Sequence, residues 1–272
     1  MKTIFKWLIV IILIYVFLKL NNEYIVTTDY TLHSDRIPES FNGYRIVQVS
    51  DLHDGLFGEN NKRLIAKVSA ENPDAIFITG DVIDSRRYNL QQSLQTVEQL
   101  VAIAPTYYVT GNHEIATNEL DIIYEQLENL GVVTLKNEAL QLTRGNETIA
   151  IAGIEDPLMD YDVEQALKQI TTTIGDDYLL LLSHRTELFP LYVNTNVDAV
   201  FTGHAHGGQI RIPFLLEGMF APGQGWMPKY TGGVFKENDT QMFVSRGLGN
   251  STFQQRIFNF PEITSITLVT DK

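Results

Sequence analysis

The hydrophobic pattern divides the chain into two unlike parts. Trp7–Leu18 (WLIVIILIYVFL) is continuously apolar, with Ile4 and Phe5 before it and Leu20 just beyond Lys19. A core helix rarely lacks polar residues for twelve positions. The run from Ile4 to Leu20 is about long enough to cross a bilayer once terminal lysines snorkel. A cleaved signal peptide would end in small residues, whereas this run ends Phe17-Leu18-Lys19-Leu20-Asn21-Asn22-Glu23. The expectation is an uncleaved anchor helix over residues 1–22, followed by one domain over 23–272. Lys2, Lys6 and the α-amino group precede the run, so the positive-inside bias places the N-terminus in the cytoplasm and the domain outside it.

From about Glu23 the periodicity becomes that of an α/β domain. Tyr44–Ser50, Ala75–Thr79, Thr106–Thr110, Tyr178–Ser183 and Ala199–Thr202 are predicted strands. Helical periodicity covers Asn60–Asn72, Leu90–Ile103, Leu120–Leu130 and Val163–Ile174. Val132–Leu135, Leu140–Thr143 and Thr148–Gly153 are expected as antiparallel strands, with Gly145-Asn146 as a turn. Gln209–Ile212, Met242–Ser245 and Ile263–Val269 complete the predicted strands. Between Phe214 and Gly233 lies a loop carrying Phe214, Leu215, Leu216, Met219, Phe220, Trp226 and Met227. A packed lid is the plainest reading of such an apolar loop. Covering the site, or touching the bilayer or a lipid substrate, are the alternatives.

Five of these strands end in polar clusters. They are Asp51-Leu52-His53-Asp54-Gly55, Gly80-Asp81, Gly111-Asn112-His113-Glu114, His184, and Gly203-His204-Ala205-His206. Functional groups in open α/β sheets gather at the carboxyl ends of strands, so these clusters are expected to meet. Five of the six histidines lie in them, and only His33 lies elsewhere. That concentration points to a metal site rather than to scattered core histidines. Gly55, Gly80, Gly111 and Gly203 read as tight turns beside it.

Composition narrows the chemistry. The formal net charge is −13, which lacks the basic footprint of a nucleic-acid binder, and no nucleic-acid partner is expected. A phosphorylated substrate remains compatible, because bound metal reverses the local field. There is no cysteine, which rules out disulfides, thiolate metal sites and a thiol nucleophile. There is also no G-x-x-x-x-G-K-[ST] loop, no G-x-S-x-G elbow and no H-E-x-x-H helix.

Asp51-x-His53, Gly80-Asp81-x-x-Asp84, Gly111-Asn112-His113-Glu114, Ser183-His184 and Gly203-His204-Ala205-His206 occur in that order. Together they resemble the calcineurin-like metallophosphoesterase superfamily. Gly207-Gly208-Gln209 and Ser245-Arg246-Gly247-Leu248-Gly249-Asn250 look like its membrane-associated bacterial branch. The resemblance implies an α/β fold, a four-layer α/β/β/α sandwich with two mixed sheets, here preceded by a transmembrane helix. It also implies a metal-dependent hydrolase that cleaves a phosphoester with a hydroxide bridging two metals. Two cations about 3.5–4 Å apart neutralise the ester and generate hydroxide at neutral pH. One metal would be held by Asp51, His53, Asp81 and His206, the other by Asp81, Asn112, His184 and His204. His204 and His206 would reach different metals from one extended segment.

By the same resemblance His113 is a catalyst and not a ligand, protonating the leaving oxygen or stabilising phosphoryl charge. Asp84 resembles a residue that orients His113 or a ligand, with a helix N-cap as its alternative. Glu114 and Asp54 read as solvated or capping carboxylates. Arg246 pairs with phosphate or closes its own loop. Mixed His, Asp and Asn ligation without Cys suits manganese, zinc or iron(II). The anchor and the apolar loop favour a phosphodiester or pyrophosphate of a lipid-linked or cell-envelope compound. The rival from another class is a membrane-tethered binding or assembly protein on an inactive phosphoesterase fold.

Overall fold

Alternate residues along the central strands point into two different apolar layers, and this alternation stacks the molecule. The structure is a computed structural model and describes residues 2–195 and 197–271. The helix α1 (Lys2–Glu23) is followed by β1 (Val26–Ser34), β2 (Arg45–Val49), α2 (Lys62–Ala70), β3 (Ala75–Thr79), α3 (Leu90–Val101) and β4 (Thr106–Val109). Next come α4 (Asn112–Ala116), α5 (Leu120–Asn129), β5 (Val133–Thr134), β6 (Glu138–Arg144), β7 (Glu147–Gly153) and α6 (Val163–Ile174). The rest is β8 (Leu179–Leu182), α7 (Phe189–Asn194), β9 (Ala199–Thr202), β10 (Phe220–Ala221), β11 (Gly225–Trp226), β12 (Gly233–Glu237), β13 (Thr240–Val244) and β14 (Glu262–Thr270).

One six-stranded sheet has the order β1-β14-β2-β3-β4-β5 and the other β12-β13-β9-β8-β7-β6. In the first, β2 to β5 run parallel and β14 is antiparallel to β2. In the second, β13, β9, β8 and β7 run parallel, with β12 and β6 antiparallel at the edges.

Val47, Val49, Ile76 and Ile78 face Leu64, Val68, Val97, Leu100 and Ile123 of the helices α2, α3 and α5. Their neighbours Ile46 and Phe77 turn the other way and meet Ile151, Leu180, Leu182, Phe201 and Phe243 of the second sheet. The far face of that sheet, with Ala152, Leu181 and Val200, packs on Leu167 and Ile170 of α6 and Phe189 and Tyr192 of α7. The result is the expected order of helix, sheet, sheet and helix. Strands buried on both faces explain unbroken runs such as AIFIT and LLLL.

Several local expectations are corrected. Residues 132–135 do not form an antiparallel strand. β5 is two residues long and pairs in parallel with β4, because the α5 crossover returns the chain in the same direction. Residues 209–212 form no strand. Gln209 follows a 3₁₀ turn at His206–Gly208 with φ 61°, and Ile210 and Ile212 make isolated bridges. The helix expected from Asn60 begins at Lys62, since Asn60 and Asn61 have φ of 50° and 58°. β1 had no clear signal in the sequence. It pairs in parallel with β14 from Val26↔Glu262 to Ser34↔Thr270.

Among the described residues α1 is the one helix long and apolar enough to cross a membrane. It stands free of the domain from Ile4 to Val16 and is first partly covered at Phe17.

Candidate metal centre

The strands β2, β3, β4, β8 and β9 end at one edge of the stacked sheets, and each hands its chain to a donor side chain. Asp51 follows β2 by two residues, Asp81 follows β3 by two, and Asn112 opens α4 after β4. His184 and His204 follow β8 and β9 by two. His53 and His206 stand two residues further on.

The side chains gather into two groups that share Asp81. In the first, His206 Nε2 lies 3.4 Å from Asp51 Oδ1, and His53 Nε2 lies 3.5 Å from Asp81 Oδ2 and 3.2 Å from His206 Nε2. In the second, His184 Nε2 lies 3.2 Å from Asp81 Oδ2 and 3.0 Å from His204 Nδ1. Within each group the donor atoms lie within 4.8 Å of one another, and all six residues are buried. Asn112 lines the same cavity as Asp81, His204 and His206. Its Oδ1 is buried with no hydrogen-bond donor among the described residues. A buried carbonyl oxygen without a donor is costly, and a cation satisfies it. His53 Nδ1 is unpartnered as well. The donor set therefore fits two divalent cations, with Asp81 within reach of both groups.

Electrostatics favour neutral imidazoles at three positions. Burial lowers His53 and His204 well below the usual imidazole range, and it also lowers His206. Burial alone would raise the Asp81 carboxyl, but His184 and then His53 hold it well below the usual carboxylate range. His184 behaves differently. Burial lowers it, but the Asp81 carboxylate outweighs burial and pushes it up to about 10. Its Nδ1–H donates to the Thr79 carbonyl at 2.8 Å, which aims Nε2 at Asp81. A cation held at His184 Nε2 would have to displace the proton on that atom.

The backbone is bent to bring these groups together. Asp51, His53, Asp81, His204 and His206 have φ of 51°, 48°, 51°, 64° and 48°. Non-glycine residues there carry strain of about 1–3 kcal/mol each, offset by contacts that hold the turns. This corrects the expectation of an extended segment at His204 and His206. Left-handed turns at both positions, not a pleat, send His204 toward Asp81 and His184 and send His206 toward Asp51 and His53. Gly111 and Gly203 have a steric reason to be glycine. A Cβ would collide with Asp81 Oδ1 at the first and with Ser50 Oγ at the second.

Residues 44–208 match the calcineurin-like phosphoesterase family model, and they contain all seven donor residues. The chain belongs to that family. It is 31% identical over 257 residues to the metallophosphoesterase YkuE of Bacillus subtilis, covering 92% of this chain and 87% of that one. It is 29% identical over 260 residues to a Danio rerio protein named transmembrane protein with metallophosphoesterase domain. That match covers 88% of this chain, and the chain spans 56% of the length of the fish protein. The solved structure of TT1561 of Thermus thermophilus shares the fold, with a TM-score of 0.51 at 13% identity over 76% of this chain and 90% of that one.

The remaining residues singled out by the family resemblance divide between the site and its supports. His113 is buried beside the first group, its ring 4.5 Å from that of His53. Its Nδ1 accepts the Ser85 N–H at 3.0 Å, which puts the proton on Nε2, 3.0 Å from Ser251 Oγ. Asp84 does not cap a helix. Asn89 caps α3, and Asp84 sits with Oδ1 3.4 Å from His113 Nδ1 while pairing with Arg87. Arg246 closes its own loop by pairing with Glu262 at 2.8 Å. Asp54 accepts the N–H groups of Asp84 and Asn89. The packed-lid reading fails at two protrusions of the loop, where Phe214, Leu215, Trp226 and Met227 are exposed, while Phe220 and Pro222 line the site cavity.

Three supports were not read from sequence as such. Glu114 is fully buried and not solvated; it takes the capping alternative at α4 through the Gly111 N–H, and three further backbone N–H groups after β3 also donate to it. Arg185 pairs with Asp156 and reaches His204 Nε2 at 3.0 Å. The Glu155-Asp156 pair just after β7 is one more polar strand end, which was the available signal. Arg256 is buried, with its guanidinium 3.4 Å from His206 Nδ1. Nothing local in the sequence marks it.

Proposed function

We propose that this chain is a metal-dependent hydrolase of phosphodiesters or pyrophosphates, anchored in a membrane and working with two divalent ions. The observation that carries the reading is the sharing of Asp81 by two donor groups beside the unpartnered Asn112 oxygen. Asp51, His53, Asp81 and His206 would hold one ion, and Asp81, Asn112, His184 and His204 the other. Manganese, zinc or iron(II) suits these imidazole, carboxylate and amide donors. When bound, such ions neutralise phosphoryl charge and make water acidic enough to attack at neutral pH.

The chain's own groups supply the rest. His113 carries its proton on Nε2 in the wall of the cavity, and this N–H can donate a hydrogen bond to the leaving or phosphoryl oxygen as charge develops there. Ser85 fixes the ring and its tautomer. Asp84 Oδ1 stands 3.4 Å from His113 Nδ1, behind the ring. Burial of the donors excludes water from all but the cavity face.

The membrane part of the reading rests on the length and apolar character of α1. Lys2 and Lys6 before the apolar run support a cytoplasmic N-terminus and an extracytoplasmic domain. Together with the exposed apolar loop, this favours a lipid-linked or cell-envelope substrate.

The test is elemental analysis of the full chain purified in mild detergent, then turnover of bis-p-nitrophenyl phosphate. The reading expects bound transition metal and turnover, both lost in Asp81→Asn. A chain that binds metal but hydrolyses no phosphoester would instead be a tethered binding protein on this fold.

A further inference from the structure

Four large apolar side chains stand in water at two neighbouring protrusions. Phe214 and Leu215 form the turn closed by Ile212 and Leu216, and Trp226 and Met227 stand at the open end of the β10–β11 hairpin, opposite its 222–224 turn. Phe214 is fully exposed, and Leu215, Trp226 and Met227 are 83%, 72% and 74% exposed. Single exposed apolar residues are ordinary, but these protrusions share a base. The Met219 N–H donates to the Ile210 carbonyl, and the Met227 N–H donates to the Met219 carbonyl.

That base is tied to α1. The Arg211 N–H donates to the Ile257 carbonyl at 2.9 Å, and the next residue, Phe258, packs its ring on Phe17 at 5.0 Å between centroids. Gln255 donates to the Leu18 carbonyl at 2.9 Å, and Asn22 accepts the Arg256 N–H at 2.9 Å. Phe17 lies six residues before the end of α1, about 9 Å along the helix axis. The whole helix has 22 residues and is about 33 Å long, little more than the roughly 30 Å hydrocarbon core of a bilayer. Leu20 is the last apolar residue before Asn21-Asn22-Glu23, so a helix that spans the bilayer carries Phe17, and the Phe258 surface touching it, to within about 5 Å of the boundary between acyl chains and headgroups.

We infer that the Phe214-Leu215 and Trp226-Met227 protrusions are a second, peripheral membrane contact, made with the bilayer that α1 crosses. This rests on the membrane part of the proposed function. Trp and Phe side chains favour that boundary, where an apolar body and a wet rim are both accommodated. The contact holds the mouth of the site at the membrane surface. A cavity of about 400 Å³ runs from His53, past Leu56, Arg87 and Leu248, to Asn22 on α1. A second of about 400 Å³ holds His113, His204 and His206 and is walled by Phe220 and Phe253. Phe220 stacks edge-on to Trp226 and to Phe253, so the wall of the site continues into the apolar protrusion. The substrate this arrangement fits is an amphiphile whose phosphoester reaches the site while its apolar part stays in the bilayer.

Trp7→Phe leaves Trp226 as the only tryptophan of the full chain. This variant would be reconstituted in vesicles of phosphatidylcholine and phosphatidylglycerol, with and without brominated acyl chains. Membrane docking predicts about a twofold loss of Trp226 emission on brominated lipid, and weak quenching by acrylamide. The double variant Phe214→Ser and Leu215→Ser should reduce the lipid quenching and leave bis-p-nitrophenyl phosphate turnover unchanged. Emission untouched by brominated lipid overturns the docking, whether acrylamide reaches Trp226 or a protein partner shields it. Alkaline carbonate extraction separates the two readings. A chain that stays in the membrane with Trp226 in water loses only the docking contact, and a chain that washes out loses the anchor as well. The quenching does not depend on catalysis, so an inactive but docked chain would sink only the hydrolase reading.

Discussion

The Glu114 carboxylate accepts the backbone N–H of Asp81 at 3.0 Å, tying the residue shared by both donor groups to the neighbouring strand end. The same carboxylate takes the N–H groups of Val82 at 2.7 Å, Ile83 at 3.2 Å and Gly111 at 2.8 Å. It therefore fastens the turn after β3 to the turn after β4 from inside the protein. Glu114→Ala would leave four buried donors without an acceptor. The expected cost is about 3 kcal/mol or more, read as a lower melting temperature in detergent, with reduced metal content as the Asp81 turn loosens. An unchanged melting temperature would mean that water satisfies those groups.

His113 is predicted to act on the leaving group without holding metal. His113→Asn should keep the metal content of the natural chain while turnover falls about 10²- to 10⁴-fold. The loss should be larger for an alkyl ester than for a nitrophenyl ester, because a departing alkoxide concentrates more charge than nitrophenolate and depends more on a donor. Equal losses on both esters would argue against a contact with the leaving oxygen.

Metal loading is predicted to release protons. The folded pKa of His184 is raised to about 10, above the unbound imidazole value of 6.5. The stabilisation from its proton is thus full below 6.5 and is lost as pH rises through about 10. A cation must displace that proton, so affinity should rise about tenfold per pH unit across this window for one proton released. Manganese titration calorimetry of the chelator-stripped chain, in two buffers of different ionisation enthalpy, measures the release directly. Heats that do not depend on buffer would contradict it.

Arg256 is predicted to matter for stability more than its distance from any motif suggests. It donates to the carbonyls of Arg246 and Gly249 and to Asn250 Oδ1, all from a buried position. Arg256→Ala strands these acceptors and should cost about 2–4 kcal/mol. Arg256→Lys should recover part of this, since an ammonium reaches fewer of the three acceptors at once. Thermal unfolding of the two variants would rank them, and Lys performing no better than Ala would remove the proposed donor role.

What could be read along the chain was local. Asp51-x-His53, Gly80-Asp81 and Gly203-His204-Ala205-His206 each follow an apolar strand directly, so strand and donor are encoded side by side. The apolar run of α1 was legible for the same reason, as twelve apolar residues need no partner to be recognised. Only the tertiary structure decided what depends on distant pairing. β1 is a half-exposed edge strand with a weak alternation, and it is a strand because β14 lies beside it. Glu114 read as a solvated or capping carboxylate; it caps α4 through the Gly111 N–H, but its burial follows from four N–H groups that converge on it from two separate turns. Arg256 carries no local signal, since its guanidinium is held by Arg246, Gly249 and Asn250 only where the irregular segment before it folds back over it. The left-handed backbone at Asp51, His53, Asp81, His204 and His206 is likewise invisible in sequence. Those residues would favour other conformations in an isolated segment, and only the stacked sheets hold the strand ends close enough to keep them bent.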